Sequence, residues 1–359
     1  MKRRTLLALP LLVASAGGRS AEPHVAYPAV EAGVGLKFPR DHGSHPRFRT
    51  EWWYVTGHLD DPSGRTIGLQ ITFFRSRPGI AEGIRSEFAP VQIVFAHAAL
   101  AIPSHGRLMH DQRAARTGFG LADASEDTTD VHIENWSFAL RDGFYHTRIA
   151  AREFDIDASF RPSAPPLLQG DAGVSRKGPL HGQASYYYSI PQLTVRGRVT
   201  MQGRTTPIEG IAWLDHEWSS EYLSEGARGW DWTGINLNDG GALMAFRIRD
   251  RDGNTYWSAG SHRDAAGRVT LFGREEIRFE ALRQWRSPRT NVQYPVAMRV
   301  HAGSMSLTLD PLMDDQELDA RSSVGTVYWE GAVHAVREND GPVGRGYLEL
   351  TGYGRPLRL

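Results

Sequence analysis

The chain has 359 residues, enough for two domains of ordinary size, and its 41 Lys plus Arg balance 41 Asp plus Glu for a formal net charge of zero. That balance gives no general attraction to a polyanion and argues against nucleic acid as a partner. The absence of cysteine excludes disulfides, thiolate catalysis and cysteine-ligated zinc.

In chain order, Met1-Lys-Arg-Arg precedes the apolar run Thr5–Ala16, which closes on the small residues Ala14 and Ala16. This is the pattern of a secretory signal peptide, expected over residues 1–21 and too short for a membrane span. Adjacent Arg3 and Arg4 fit a twin-arginine route as well as an ordinary secretory one, so a periplasmic or secreted location is expected. Residues 22–46 are rich in Pro, Gly and His and are expected to form an extended lead-in.

From Glu51 onward, short alternating segments are separated by turns. The first two are Trp52–Leu59 and Thr66–Phe74, divided by Asp61-Pro-Ser-Gly64. Val91–Ile102 is expected to be a strand, ended by Pro103, and the Pro- and Gly-bearing Leu167–Gly182 a long loop. Further strands are expected at Val131–Leu140, Thr194–Met201, Ala242–Ile248, Met298–Val300, Ser306–Leu309, Val327–Val336 and Arg345–Tyr353.

The chain also repeats itself. Trp53-Tyr-Val-Thr-Gly57, a turn and Phe74-Arg75 are echoed by Trp230-Asp-Trp-Thr-Gly234, a turn and Phe246-Arg247. Gly210-Ile-Ala-Trp-Leu-Asp215 resembles Gly344-Arg-Gly-Tyr-Leu-Glu349, in the same order in the second half. The fold class expected is all-β: two tandem lipocalin-like antiparallel barrels from an internal duplication, over residues 47–217 and 218–359.

Glu51-Trp-Trp-Tyr-Val-Thr-Gly57, Trp213-Leu-Asp-His-Glu-Trp218, Gly229-Trp-Asp-Trp232, Tyr328-Trp-Glu-Gly331 and Gly346-Tyr-Leu-Glu-Leu350 resemble the carotenoid 1,2-hydratase-like family of double lipocalin-like proteins. The resemblance implies that fold, and an activity either of water addition to an isoprenoid alkene or of related cyclisation. It also aligns His216 and Trp218 with functional His and Trp of the hydratases. The acid those hydratases carry on the strand equivalent to Leu243–Ile248 has no counterpart here.

In the segment Trp213–Trp218, strand alternation puts Trp213, Asp215 and Glu217 on one face and Leu214, His216 and Trp218 on the other. Protonating an alkene carbon needs a carboxylic acid kept neutral by burial, and the resulting cation is steadied by aromatic faces. Asp215, His216 and Glu217 are therefore the candidate proton-handling residues, although a purely structural hydrogen-bonding role fits them too. Trp53, Tyr187, Trp218, Trp230, Trp232, Tyr328 and Glu330 are the candidates for lining an apolar ligand site. Glu51 and Asp231, each beside indoles, need partners, for which Arg75 and Arg247 at repeat-equivalent positions are suited.

No His-x-His or His-Glu-x-x-His pair, Gly-x-Ser-x-Gly elbow or phosphate loop is present, so neither a metal nor a cofactor is expected. The partner expected is a hydrophobic small molecule, isoprenoid or lipid-like, bound near the junction of the barrels. The other readings are an alkene hydratase or cyclase, and an accessory protein of an envelope transport complex that binds no ligand.

Overall fold

The structure, a computed structural model, describes residues 25–357. The signal-peptide expectation at residues 1–21 lies outside the described residues. Strands dominate, and among the described residues the only helical turns are three short 3-10 segments, Arg40–His42, Pro103–His105 and Arg274–Glu276.

The strands form two antiparallel sheets of 13 and 10 strands. The first runs, in hydrogen-bonded order, Met109–Arg116, Ile93–Ala101, Thr66–Ser76, Thr50–Asp60, Arg204–Glu221, Ala184–Met201, Asp155–Arg161, Phe144–Ala150, Trp136–Arg141, Asp130–Ile133 and Ala122–Ala124. The second runs Val269–Phe272, Thr255–Arg263, Ala242–Asp250, Ala227–Leu237, Gly341–Leu350, Thr326–Arg337, Met305–Pro311, Gln293–Ala302 and Ile277–Arg286. Each sheet curls until its far strands meet: Ile93–Ala101 touches Asp130–Ile133, and Thr255–Arg263 touches Ile277–Arg286.

Several local expectations are refined. The first sheet continues to Glu221 and the second begins at Ala227, so Trp218–Glu221 pair within the first barrel rather than opening the second. The loop Leu167–Gly182 contains two short strands, Leu167–Leu168 and Val174–Arg176, that dock on Ala184–Met201. The run Val131–Leu140 is a hairpin, folded at Glu134, whose φ of 53° makes the tight turn. The lead-in folds back to cap one end of the first barrel, where the His42 carbonyl accepts from Thr129 Oγ1 at 2.8 Å.

Alternation along the central strands explains how two barrels share one chain. In Thr50–Asp60, Trp53, Val55 and Leu59 fill the first barrel, whereas Tyr54 belongs to a separate cluster between the barrels. In Thr326–Arg337, Trp329, Val333 and Ala335 fill the second barrel, while Ala332 points at the first. Both faces of these strands are thus buried, which produces their nearly continuous burial. The lumen of each barrel is packed with its own side chains, including Trp53, Trp136 and Trp218 in one and Trp329 and Tyr294 in the other. The space left over lies between them.

Candidate functional site

A cavity of about 80 Å³ opens between the two barrels, with room for roughly six waters, the bulk of a single prenyl unit. Two matching rows of cross-strand neighbours form its walls. In the first barrel Phe74, Trp52, Glu217 and Tyr187 stand side by side across four strands. In the second barrel Phe246, Trp232, Glu349 and Glu330 occupy the equivalent places. The duplication seen in sequence therefore recurs as geometry, with a corrected register. Glu51 is equivalent to Asp231 because each faces its arginine, Arg75 or Arg247, and Glu349 is equivalent to Glu217 rather than to Asp215.

Four carboxyl groups, Asp215, Glu217, Glu330 and Glu349, line this space with one ammonium, Lys177. Four negative charges against one positive in a low-dielectric pocket repel strongly, and protonation is the cheapest relief. Burial pushes the Glu330 carboxyl well above the ordinary carboxylate range, and the Glu349 carboxyl beside it adds to the effect. Burial likewise carries Glu349 up to about 7, opposed by a hydrogen bond from Trp230. Glu330 is 2% exposed and neither of its oxygens has a hydrogen-bond partner, although the phenols of Tyr54 and Tyr328 stand near it. A buried carboxylate so poorly served is unstable as an anion, so Glu330 is held as a neutral acid.

Asp215 differs. Burial raises its pKa to about 7, yet its oxygens accept from the Tyr187 hydroxyl at 2.7 Å, Ser189 Oγ at 2.5 Å and Trp213 Nε1 at 2.6 Å. Three donors leave it as an acceptor that fixes its neighbours. One of these, Tyr187, in turn accepts from Trp232 Nε1 at 3.0 Å, which sets the indole at the cavity wall. Glu217 takes the Lys177 ammonium at 2.8 Å and the Ser185 hydroxyl.

Of the residues anticipated from sequence, Asp215, Glu217, Trp230, Trp232, Tyr328 and Glu330 line the cavity, and Tyr187 stands directly behind it. His216, Trp53 and Trp218 do not, which corrects their expected place in one shared pocket: alternation turns them into the first barrel. There the His216 ring lies between the two indoles, stacked on Trp53 with centroids 4.7 Å apart and tilted against Trp218 at 4.9 Å. Its nitrogens meet the Tyr188 hydroxyl at 3.1 Å and Glu51 Oε1 at 2.9 Å. Glu51 also holds Arg75 at 2.8 Å and His45 at 2.7 Å.

His45, Glu51 and His216 bring three donor atoms together as a metal site would. Their atoms are, however, already spent on one another and on the guanidinium of Arg75, a cation held where a metal ion would add a second one.

Sequence reasoning missed Glu349, Lys177, Trp52, Tyr54 and Phe74. Trp52 and Tyr54 were within reach, since they sit on the opposite alternation from Trp53. Lys177 was not, because it lies in a stretch with no periodicity. The acid missing from Leu243–Ile248 is replaced spatially: Phe246 and Ile248 of that strand face the cavity, and the carboxyls come from Glu330 and Glu349 on nearby strands.

A family model described as AttH-like matches residues 29–353. The crystal structure of an AttH protein from Nitrosomonas europaea shares 50% identity, with a TM-score of 0.86 over 91% of this chain and 100% of that one. Kievitone hydratase from Nectria haematococca has a TM-score of 0.69 at 13% identity, over 92% of this chain and 96% of that one. CghA has a TM-score of 0.52 at 13% identity, over 86% and 90% of the two chains. At 13% identity these last two share the fold alone. No curated protein matches the chain. The expected likeness to carotenoid 1,2-hydratase-like double lipocalins holds for family and fold.

Proposed function

The chain belongs to the AttH-like family, and from that premise and the chemistry of the inter-barrel cavity we propose that it binds an apolar alkene there and adds a proton to it, opening the way to hydration or cyclisation. The observation that carries this reading is Glu330, a buried carboxyl with both oxygens unpartnered, held as an acid against an aromatic wall. The O–H bond of Glu330 breaks as a C–H bond forms, and the positive charge develops on the neighbouring carbon. The faces of Trp52, Trp232 and Phe246 stand where that cation forms, each worth roughly 0.5–2 kcal/mol to it. Water then adds to the cation and gives up a proton to the carboxylate of Glu349, whose pKa of about 7 leaves it ionised part of the time. Transfer from Glu349 to Glu330 restores the starting state, their strands being paired at these two residues.

The existence of a solved hydratase with this fold supports the reading. The substrate class is an alkene whose reacting end is no bulkier than a prenyl group, since the cavity admits little more. A panel of prenylated and terminal isoprenoid alkenes, incubated in heavy-oxygen water, tests it: the product should gain one labelled water by mass spectrometry. Glu330→Gln should lower turnover by about 10²–10⁴-fold while the variant still folds and binds. Unchanged turnover in that variant would sink the assignment.

A further inference from the structure

Of the 41 basic residues only three are lysines, Lys2, Lys37 and Lys177. Everywhere among the described residues that a buried carboxylate merely needs a counter-charge, as at Glu51 and Asp231, the chain uses arginine. The exception is the cavity, where the cation is Lys177. The distinction matters chemically. A guanidinium never gives up its proton in a protein, whereas an ammonium taken out of water does, and the free amine is a nucleophile.

Lys177 is 3% exposed and follows the short strand Val174–Arg176. Its Nζ meets Glu217 Oε1 at 2.8 Å and donates to Ser175 Oγ at 3.1 Å. The rest of its surroundings are aromatic: the ring centroids of Phe246, Tyr187 and Tyr222 lie 4.2, 4.9 and 5.1 Å away. Two of the three N–H bonds are thus accounted for, and the nitrogen lines the same apolar space as Glu349. Burial lowers the pKa of the ammonium, with Glu217 working in the opposite sense.

We propose that Lys177 forms an imine with an apolar aldehyde that enters the inter-barrel cavity. Glu217 takes a proton from the ammonium, and the freed amine lone pair forms a C–N bond to the aldehyde carbon while the carbonyl π bond breaks. Glu217 returns its proton to the resulting alkoxide. Glu217 then takes one of the two protons on the carbinolamine nitrogen, which restores its lone pair, and the protonated carboxyl of Glu349 supplies a proton to the hydroxyl, which leaves as water while the C=N bond forms. Glu217 passes its proton on to Glu349, which returns both carboxyls to their starting states and leaves Glu217 as the counter-ion of the iminium. The sum is aldehyde plus ammonium giving iminium plus water, with no redox partner. This capture shares the cavity with alkene protonation but does not rest on it, since Glu330 has no part in it.

The test is reductive trapping. The folded protein is incubated near neutral pH with prenal, the aldehyde of a single isoprene unit, reduced with borohydride and mapped by peptide mass spectrometry. Lys177 should be labelled faster than the exposed Lys37 by about tenfold or more, because the cavity holds the aldehyde against its amine and burial favours the neutral form. The preference should vanish in denaturant. Lys177→Arg keeps the charge opposite Glu217 and should fold, yet its cavity peptide should carry no label. Glu330→Gln should trap the aldehyde as well as the parent does, even where alkene turnover is lost, so failure of either idea is seen separately. Labelling of Lys177 no faster than of Lys37 in the folded protein overturns the proposal.

Discussion

Glu51 and Glu330 are both carboxyl groups sealed from bulk water, and they differ in what surrounds each. Burial opposes charge at both. At Glu51 the rings and guanidinium of His45 and Arg75 outweigh it and hold the carboxyl well below the usual range, whereas at Glu330 a second carboxyl reinforces it. One group is therefore a structural anion and the other a stored proton. The pH dependence follows from Glu349, whose pKa is raised to about 7 by burial. A group raised in this way is protonated in the folded chain below that value and cannot then take the proton of the added water, so turnover is sustained above about 7 and fades as pH falls through it. Turnover measured from about pH 5 to about pH 9 should fall on the acid side, and a profile flat through neutrality would remove Glu349 from the proton path.

At the scale of strands, the cavity exists because two faces approach closely without closing. Small residues set that distance. A Cβ placed on Gly68 would come within 2.7 Å of Ala332 Cβ and 2.8 Å of the Tyr347 hydroxyl, both on the other barrel. Gly68→Val should therefore push the barrels apart, destabilising the fold by about 1–3 kcal/mol and weakening ligand retention. Denaturant unfolding and ligand binding, measured on one preparation, check this; parent-like values for both would show that the contact is not what spaces the faces.

This scale also decides how much could be read in advance. Alternation in Trp213–Trp218 separated Asp215 and Glu217 from His216 correctly, because strand geometry is local. Which face met the cavity was not local. It depended on a second barrel 132 residues further on in the ladder, from Glu217 to Glu349, that no periodicity reveals. The motif match placed Asp215 opposite Glu349 for the same reason. Similar letters two positions apart keep the same face in a strand, so sequence could find the face but not the rung. Lys177 and the paired Glu330 and Glu349 become a site only when three distant segments converge.

For the whole molecule, the two barrels are joined by buried polar contacts as well as by the aromatic cluster between them. His97 of the first barrel meets the Tyr328 hydroxyl at 2.7 Å and Ser323 Oγ at 2.8 Å, and His58 donates Nε2–H to the Gly346 carbonyl at 3.0 Å. Burial drives both histidines down to a pKa of about 3. Such groups favour folding fully above their unfolded value of about 6.5, and that contribution is lost as pH falls toward 3. The raised carboxyls of the cavity act in the other direction, their contribution fading as pH rises through about 7. The junction is therefore squeezed from both sides, and its contribution to stability should be greatest between the unfolded carboxylate and histidine values, about 4 and about 6.5. His97→Gln removes one titrating group from the junction, so its acid-unfolding midpoint should move to lower pH relative to its own stability at neutral pH. Circular dichroism across an acid titration reads this directly, and a variant that loses structure with the same relative pH profile as the parent would show that the histidines at the junction do not govern its acid limit.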